Sequence, residues 1–485
     1  MMSNPMPPMT GRPDGPMDFA NPGHFAWMIF GLFLFALLLR LTCFTGLIAS
    51  DDLTYSRFAQ QIASGQYVLE YHHYAIRFGV ILPVGLVYAL FGVSEWSTII
   101  VPLLTSTSSV VLFALIATRL FGVRAGLIAG LLLATFPLQL YHATILVPEP
   151  IVEFYVLLAV LIYVRTDERA SVAMGALTGV LIGVLVGVAY LTKEPALFVA
   201  PALFIDAALR RRWRQAFGIA LGVVSVIALE HAYYLAMTGD LLFRPHSMVI
   251  HNQYVAGGGR EISPDLFNSG LGRRLFIEYP RMMLIPGLDF GIHSLVALIL
   301  SALAMFRFRK DRRAYFLLIW AVVPWLYLNF GTTSFTHYIP IPAAPRYIDF
   351  TYPPLFLLSA WLLADWLSNT TASNAALQKN GRVRLIYPLL ALVMLVGEGC
   401  GFSTRATGYR TNHVAALRII TDKVKQRKID RVCFDVAPDP GVKARWPRAM
   451  FILSAGQVPV CESATGRMVI RADPLGFPYV ATLEP

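Results

Sequence analysis

Long apolar runs recur along this chain with so few polar interruptions that the backbone has one way to satisfy its hydrogen bonds inside them. The first, FAWMIFGLFLFALLLRLTCFTGLI at residues 25–48, is long enough to cross a hydrocarbon core of roughly 30 Å as a helix. In lipid every backbone N–H and C=O must find its partner within the protein, and a lone run of this kind does so only as a helix. Comparable runs lie at 96–118, 123–139, 147–164, 172–190, 195–209, 215–236, 288–306, 314–330, 348–367 and 385–402. With 56% hydrophobic and only 14% charged residues in 485, the chain lacks the charge to cover a soluble fold. The predicted fold class is an α-helical polytopic membrane protein with about 11 transmembrane helices and a small C-terminal α/β domain.

The basic clusters set the predicted orientation. RRRWR at 210–214, RFRKDRR at 307–313, the turns 119–124 and 165–169, and the loop with Lys379, Arg382 and Arg384 all follow even-numbered spans. The positive-inside rule puts these in the cytoplasm. The net charge of +11 is thereby a matter of topology, and no aromatic-interleaved basic stripe points to nucleic acid. Residues 1–24 read as a cytoplasmic tail without a cleavable leader, so the first span serves as an uncleaved signal anchor. Residues 25–402 form the transmembrane domain, with large external loops at 51–95 and 238–286, and residues 403–485 form the external α/β domain. The expected location is a bacterial inner (plasma) membrane.

Nearly every unusual polar residue then falls on the external side. Asp51 and Asp52 open SDDLTYSRFAQQIASGQY directly after the first span. Two adjacent carboxylates at a membrane surface call for a metal, a cation or a proton, and so mark a candidate site. The alternative is a helix N-cap by Ser50 or Asp51, with acids at the positive end of the helix that follows. The two roles are compatible.

Asp51-Asp52-x-x-Tyr55-x-x-x-Ala59 resembles the motif that opens the first external loop of the C-type glycosyltransferases, polytopic enzymes that take sugar from a polyprenyl phosphate. The family includes protein mannosyltransferases and lipid A aminoarabinose transferases. Four further stretches resemble it in order: RFGVILPVGLVYALFGVSEWS, Pro148-Glu149-Pro150, Thr192-Lys193-Glu194-Pro195, and Pro345-Arg346-Tyr347 with Pro353-Pro354. Ala75-Ile76-Arg77 stands where the family has Lys-Pro-Pro, which makes Arg77 a candidate surrogate for that lysine. Glu194 follows Lys193 where many relatives have glycine.

The resemblance implies an inverting transfer from a polyprenyl phosphate sugar to a lipid, glycan or protein acceptor of the cell envelope, at the outer membrane face. Such a donor carries its own leaving group. The enzyme needs a carboxylate to take the acceptor proton and cations to hold phosphate. Asp51 is the candidate base, with Asp52 assisting. Lys193 offers the phosphate a point charge and Arg346 a bidentate fork; snorkelling at helix ends is the competing explanation of both. Glu149, Arg77, Arg260 and Tyr347 complete the predicted substrate contacts. A divalent cation is possible on Asp52 and Glu149, but two carboxylates do not complete a site.

Other features carry less chemistry. His72 and His73 are adjacent, cannot share a helical ligand face, and read as interfacial residues beside Tyr71 and Tyr74. The 238–286 segment, with Arg244, His246, His251, Gly257-Gly258-Gly259, Arg260, Arg273, Arg274 and Arg281, reads either as a lid over an anionic donor or as an amphipathic loop on headgroups. The tail predicts an amphipathic helix at 412–428 and strands RVCFDV, VPVCE, MVIRA and YVATL. Cys433 and Cys461 are free to pair in an oxidising compartment, while Cys43 and Cys400 read as packing residues. The other function class considered is a transporter or flippase of a lipid-linked saccharide, which is expected to carry charges at the midplane and related halves; no internal repeat is visible.

Overall fold

The computed structural model describes residues 22–166, 172–257, 271–284, 291–332, 341, 345–348, 351–373 and 395–401, together with shorter stretches of the tail between 414 and 483. Helices α1 (Pro22–Thr42), α2 (Asp51–Ala63), α3 (Phe78–Phe91), α4 (Glu95–Phe121), α5 (Val123–Thr135), α6 (Pro137–His142), α7 (Glu149–Arg165), α8 (Val172–Thr192), α9 (Val199–Leu209), α10 (Trp213–Thr238) and α11 (Phe243–Gly257) follow in order. The helices Gly291–Arg307, Arg312–Phe330 and Tyr352–Ser373 complete the described bundle. Among the described residues five helices are long and apolar enough to cross a membrane: Gly23–Thr42, Glu95–Phe121, Ala173–Thr192, Trp213–Thr238 and Arg312–Phe330.

Several predicted spans are reshaped for identifiable reasons. The first ends at Thr42, and residues 43–48 run on without helix. The run 123–139 breaks at Phe136 because Pro137 has no N–H to continue the ladder, and α6 restarts with that proline at its first turn. A 3-10 turn, Glu194–Phe198, replaces the start of the span predicted from 195. The segment 238–286 is largely helical where described, with α11 and the stretch Leu271–Leu284.

Helices α8 and α10 approach most closely. Gly179 faces Gly218, Gly183 faces Gly222 and Gly187 faces Val226, and a Cβ built on Gly183 would lie 2.2 Å from the Ile219 carbonyl oxygen. Small residues four apart let two backbones touch, the usual basis of helix association in lipid. This contact fixes the end of α8, where Lys193 follows.

At the opposite end of the bundle the basic turns are tied together. Arg313 Nη1 donates to the Leu120 carbonyl at 2.6 Å, and Arg210 Nε donates to the buried Asp206 at 2.7 Å. The turns after α4 and before Arg312–Phe330 therefore share one end, and the charge of Arg210 reaches Asp311 there from the turn after α9.

In the tail, strands β1 (Val432–Asp435), β2 (Val460–Cys461), β3 (Met468–Arg471) and β4 (Val480–Leu483) form a sheet in the order β2-β1-β3-β4. The first two pairings are parallel and β3–β4 is antiparallel, and the register sets Cys433 opposite Cys461. Cys43 and Cys400, expected as packing residues, are joined by a disulfide with Cα atoms 5.2 Å apart. The two spans meet at the end where α1 stops, which brings the cysteines within bridging range.

Candidate active site

The loop 43–50 and the start of α2 set the first carboxylate in place. Asp52 is fully buried, and its two oxygens accept the backbone N–H groups of Ile48 (2.8 Å) and Ser50 (2.6 Å). Ser50 sits at the N-cap without a side-chain capping bond. Asp52 thus folds the incoming loop back on the helix start. Burial pushes its carboxyl up to about 6, against the lowering by those two amides.

Asp51 has a different environment. Its Oδ1 accepts from the Tyr74 hydroxyl at 2.6 Å and its Oδ2 from Arg346 Nη1 at 2.9 Å. Burial alone would raise its carboxyl, but the Arg346 guanidinium and the Tyr74 hydroxyl outweigh it and hold the group below the ordinary aspartate value. The Asp51 side chain is 27% exposed and that of Arg346 47%, so this pair is open to a reactant. The two acids grouped together in the sequence part here: one meets the open site, the other holds the loop.

A second ion pair lies deeper. Lys193 Nζ donates to Glu149 Oε1 at 2.6 Å, with side-chain exposures of 2% and 3%. Lys193 also approaches the Arg346 carbonyl at 3.5 Å and lies 4.5 Å from the centre of the Tyr347 ring. This rules out snorkelling for Lys193, whose head points into the protein. Among the described residues Glu149 Oε2 is buried without a hydrogen-bond partner. The residues singled out at 51, 149, 193, 346 and 347 therefore converge from α2, α7, α8 and the short helix Pro345–Ile348.

Arg77 sits behind them. It donates to the Tyr55 hydroxyl and pairs with Glu194 at 3.5 Å. Glu194 also accepts from Arg244 Nη1 at 2.6 Å, and Arg244 binds Glu230 and donates to the Ile76 carbonyl at 2.8 Å. Both arginines hold Glu194 below the usual range despite its burial. Glycine at 79 allows α3 to lie against the end of α8, where a Cβ would meet Thr192 Oγ1 at 1.9 Å. Arg77 is thus linked to the Lys193-Glu194 turn, and Arg244 is a buried tie in place of an exposed lid cation.

His72, His73 and Tyr74 stack on one another, with His72 and His73 ring centres 5.3 Å apart. Among the described residues no three His, Cys, Asp or Glu side chains converge as ligands for a metal. Of the two carboxylates expected as metal candidates, Asp52 is occupied by amides, and Glu149 keeps one oxygen without a hydrogen-bond partner among the described residues. Arg260 lies outside the described residues, as do Lys379, Arg382 and Arg384.

Sequence reasoning overlooked Tyr74 as a partner of Asp51 and Glu230 as a partner of Arg244. Glu230 was detectable as an acid inside an apolar span, where charge is expensive and wants a partner. Arg40 is the same case: it is fully buried in α1 and bonds Ser106 at 2.8 Å.

The bundle and the order of its helices and loops resemble those of polytopic C-type glycosyltransferases, the family whose motifs the sequence resembles. Residues 81–234 match the profile of the family described as dolichyl-phosphate-mannose-protein mannosyltransferase. The fold is similar to that of ArnT from Cupriavidus metallidurans in the apo state, with a TM-score of 0.58 and 17% identity, covering 91% of this chain and 87% of that one. It also resembles ArnT bound to undecaprenyl phosphate, with a TM-score of 0.56 and 16% identity over 94% of each chain. The oligosaccharyltransferase AglB from Archaeoglobus fulgidus, in complex with an inhibitory peptide and a dolichol-phosphate, matches with a TM-score of 0.54 and 14% identity, over 90% of this chain and 65% of that one. No curated protein matches the sequence significantly.

Proposed function

We propose that the protein is an inverting glycosyltransferase that moves a sugar from a polyprenyl phosphate to a cell-envelope acceptor at the outer membrane face. The observation that carries the reading is the open Asp51–Arg346 pair, 2.9 Å apart, beside the buried Lys193–Glu149 pair. Asp51 is ionised and reachable, as a base for an acceptor hydroxyl must be. Arg346 gives a planar fork suited to phosphate, and Lys193 supplies a second positive charge in a site shielded from water. The undecaprenyl phosphate and dolichol-phosphate bound by the two structural relatives support a donor of that class here.

In this reading the donor phosphate draws Arg346 away from Asp51, which frees the carboxylate as the acceptor arrives. Asp51 then takes the hydroxyl proton while the acceptor oxygen attacks the anomeric carbon, and the bond to the phosphate oxygen breaks with its electrons on the phosphate. Arg346 and Lys193 stabilise the charge released there. Tyr74 holds Asp51 in line. About eleven spans, an external C-terminal α/β domain and an inner-membrane location belong to the same proposal. The test is transfer by purified protein in detergent: wild type should move labelled sugar from the lipid donor, and Asp51→Asn should lose on the order of 10² to 10⁴ of the rate with its fold intact. A folded Asp51→Asn variant at the wild-type rate would remove Asp51 from the mechanism.

A further inference from the structure

The tail reaches back to the loop that carries Asp51, and it does so through charged contacts as well as apolar ones. Arg418 sets both terminal nitrogens on the Glu95 carboxylate. The same Glu95 Oε1 accepts the backbone N–H of Leu47 at 2.9 Å, in the loop that Asp52 anchors from its other end. Gly46 makes this approach possible: its φ is +72°, and a Cβ there would lie 2.4 Å from Glu95 Oε1. From the tail helix Arg445–Leu453, Arg448 donates to Ser56 Oγ at 2.8 Å and to Gln60 Oε1, both on α2. Ser56 in turn bonds the Tyr88 hydroxyl at 2.8 Å, and Tyr88 bonds Thr98 at 2.7 Å. Between the two arginines Leu47 and Leu53 pack with Val414, Leu417, Ile420, Val424, Met450 and Ile452.

Loop 43–50 and α2 are thereby gripped from the tail on both sides of Asp51. Among the described residues neither arginine bonds Asp51, and Arg418 holds the same carboxylate oxygen that accepts the Leu47 N–H of the loop before it. We infer that Arg418 and Arg448 are positioning residues, which hold Asp51 at the distance its chemistry requires; the inference rests on Asp51 acting as the base. A displacement of about 1 Å at a reacting group is enough to lose about 10² in rate.

The experiment uses full-length protein and two readouts. Hydrogen exchange of the peptide spanning 44–53 should quicken about tenfold or more in Arg418→Ala, with α8 unchanged, because the loop loses the partner of its anchoring carboxylate. In the transfer assay kcat should fall about 10²-fold for Arg418→Ala and Arg448→Ala while KM for the lipid donor stays within about twofold. Arg418→Lys and Arg448→Lys, which keep the charge and one contact, should recover most of the rate and keep the test valid if the alanine variants do not fold. Unchanged exchange over 44–53, or unchanged kcat in variants with the tail contact broken, would overturn the inference. A wild type without transfer activity would sink the transferase reading and the positioning role together, an outcome distinct from intact wild-type transfer with unaffected variants.

Discussion

Asp51 keeps its charge because Arg346 and Tyr74 both meet its carboxylate, and this gives the proposed base a pH signature. A group whose folded pKa is depressed stabilises the fold above its unfolded value and loses that contribution as pH falls through the folded one. The acid limb of kcat/KM should accordingly lie below the ordinary aspartate range. Arg346→Gln should move that limb upward, since burial then goes less opposed; a pH–rate profile that does not move would mean that another group titrates. Asp52 has the opposite sign. Its carboxyl is raised to about 6, so its contribution favours the fold below the unfolded value and is gone above pH 6. Asp52→Asn places an NH2 against one of two amide donors, and it should lower stability by about 1–3 kcal/mol in thermal melts. The sequence set both acids at one site, because adjacency was all it displayed. Their separation depends on which oxygens meet amides and which meet Arg346, 295 residues away along the chain.

At the scale of elements, the order of the motifs was legible and their contacts in part. Pro148-Glu149-Pro150 starts α7, Thr192-Lys193-Glu194-Pro195 ends α8, and both turns reach the Asp51 end of the bundle. The sequence left Glu149 open to pairing with Lys193 or Arg346, and the choice of Lys193 depends on the close α8–α10 packing and on α3 against Thr192. Breaking the buried pair should be severe. Lys193→Met leaves Glu149 charged in a dry setting and should destabilise the protein by about 3–5 kcal/mol. Adding Glu149→Gln should recover much of that stability. Donor binding should stay weak in the double variant if Lys193 holds phosphate, and recovered donor affinity would reduce Lys193 to a structural role. Amphipathic periodicity likewise found the tail helix, for Val414, Leu417, Ile420 and Val424 are all buried. What they bury against, Leu47 and Leu53, lies far away in sequence and carries no local signal.

For the whole molecule, apolar runs and basic clusters define a bundle with two unlike ends. The structure ties Arg313 to Leu120 at one end and gathers Asp51, Glu149, Lys193 and Arg346 at the other. The proposed topology makes the second end external. Single cysteines introduced in 51–95 should react with an impermeant reagent on intact cells, and those in RRRWR at 210–214 should not; the reverse pattern would invert the assignment. The central claim is transfer of sugar with Asp51 as base. Its most direct measurement is single-turnover transfer from a labelled polyprenyl phosphate sugar by purified wild type and Asp51→Asn, each with donor affinity measured separately. The account predicts transfer by wild type and a loss on the order of 10² to 10⁴ in the variant's rate at unimpaired donor affinity. Equal rates in the two folded proteins, or movement of intact donor across the membrane with no sugar transferred, would contradict it.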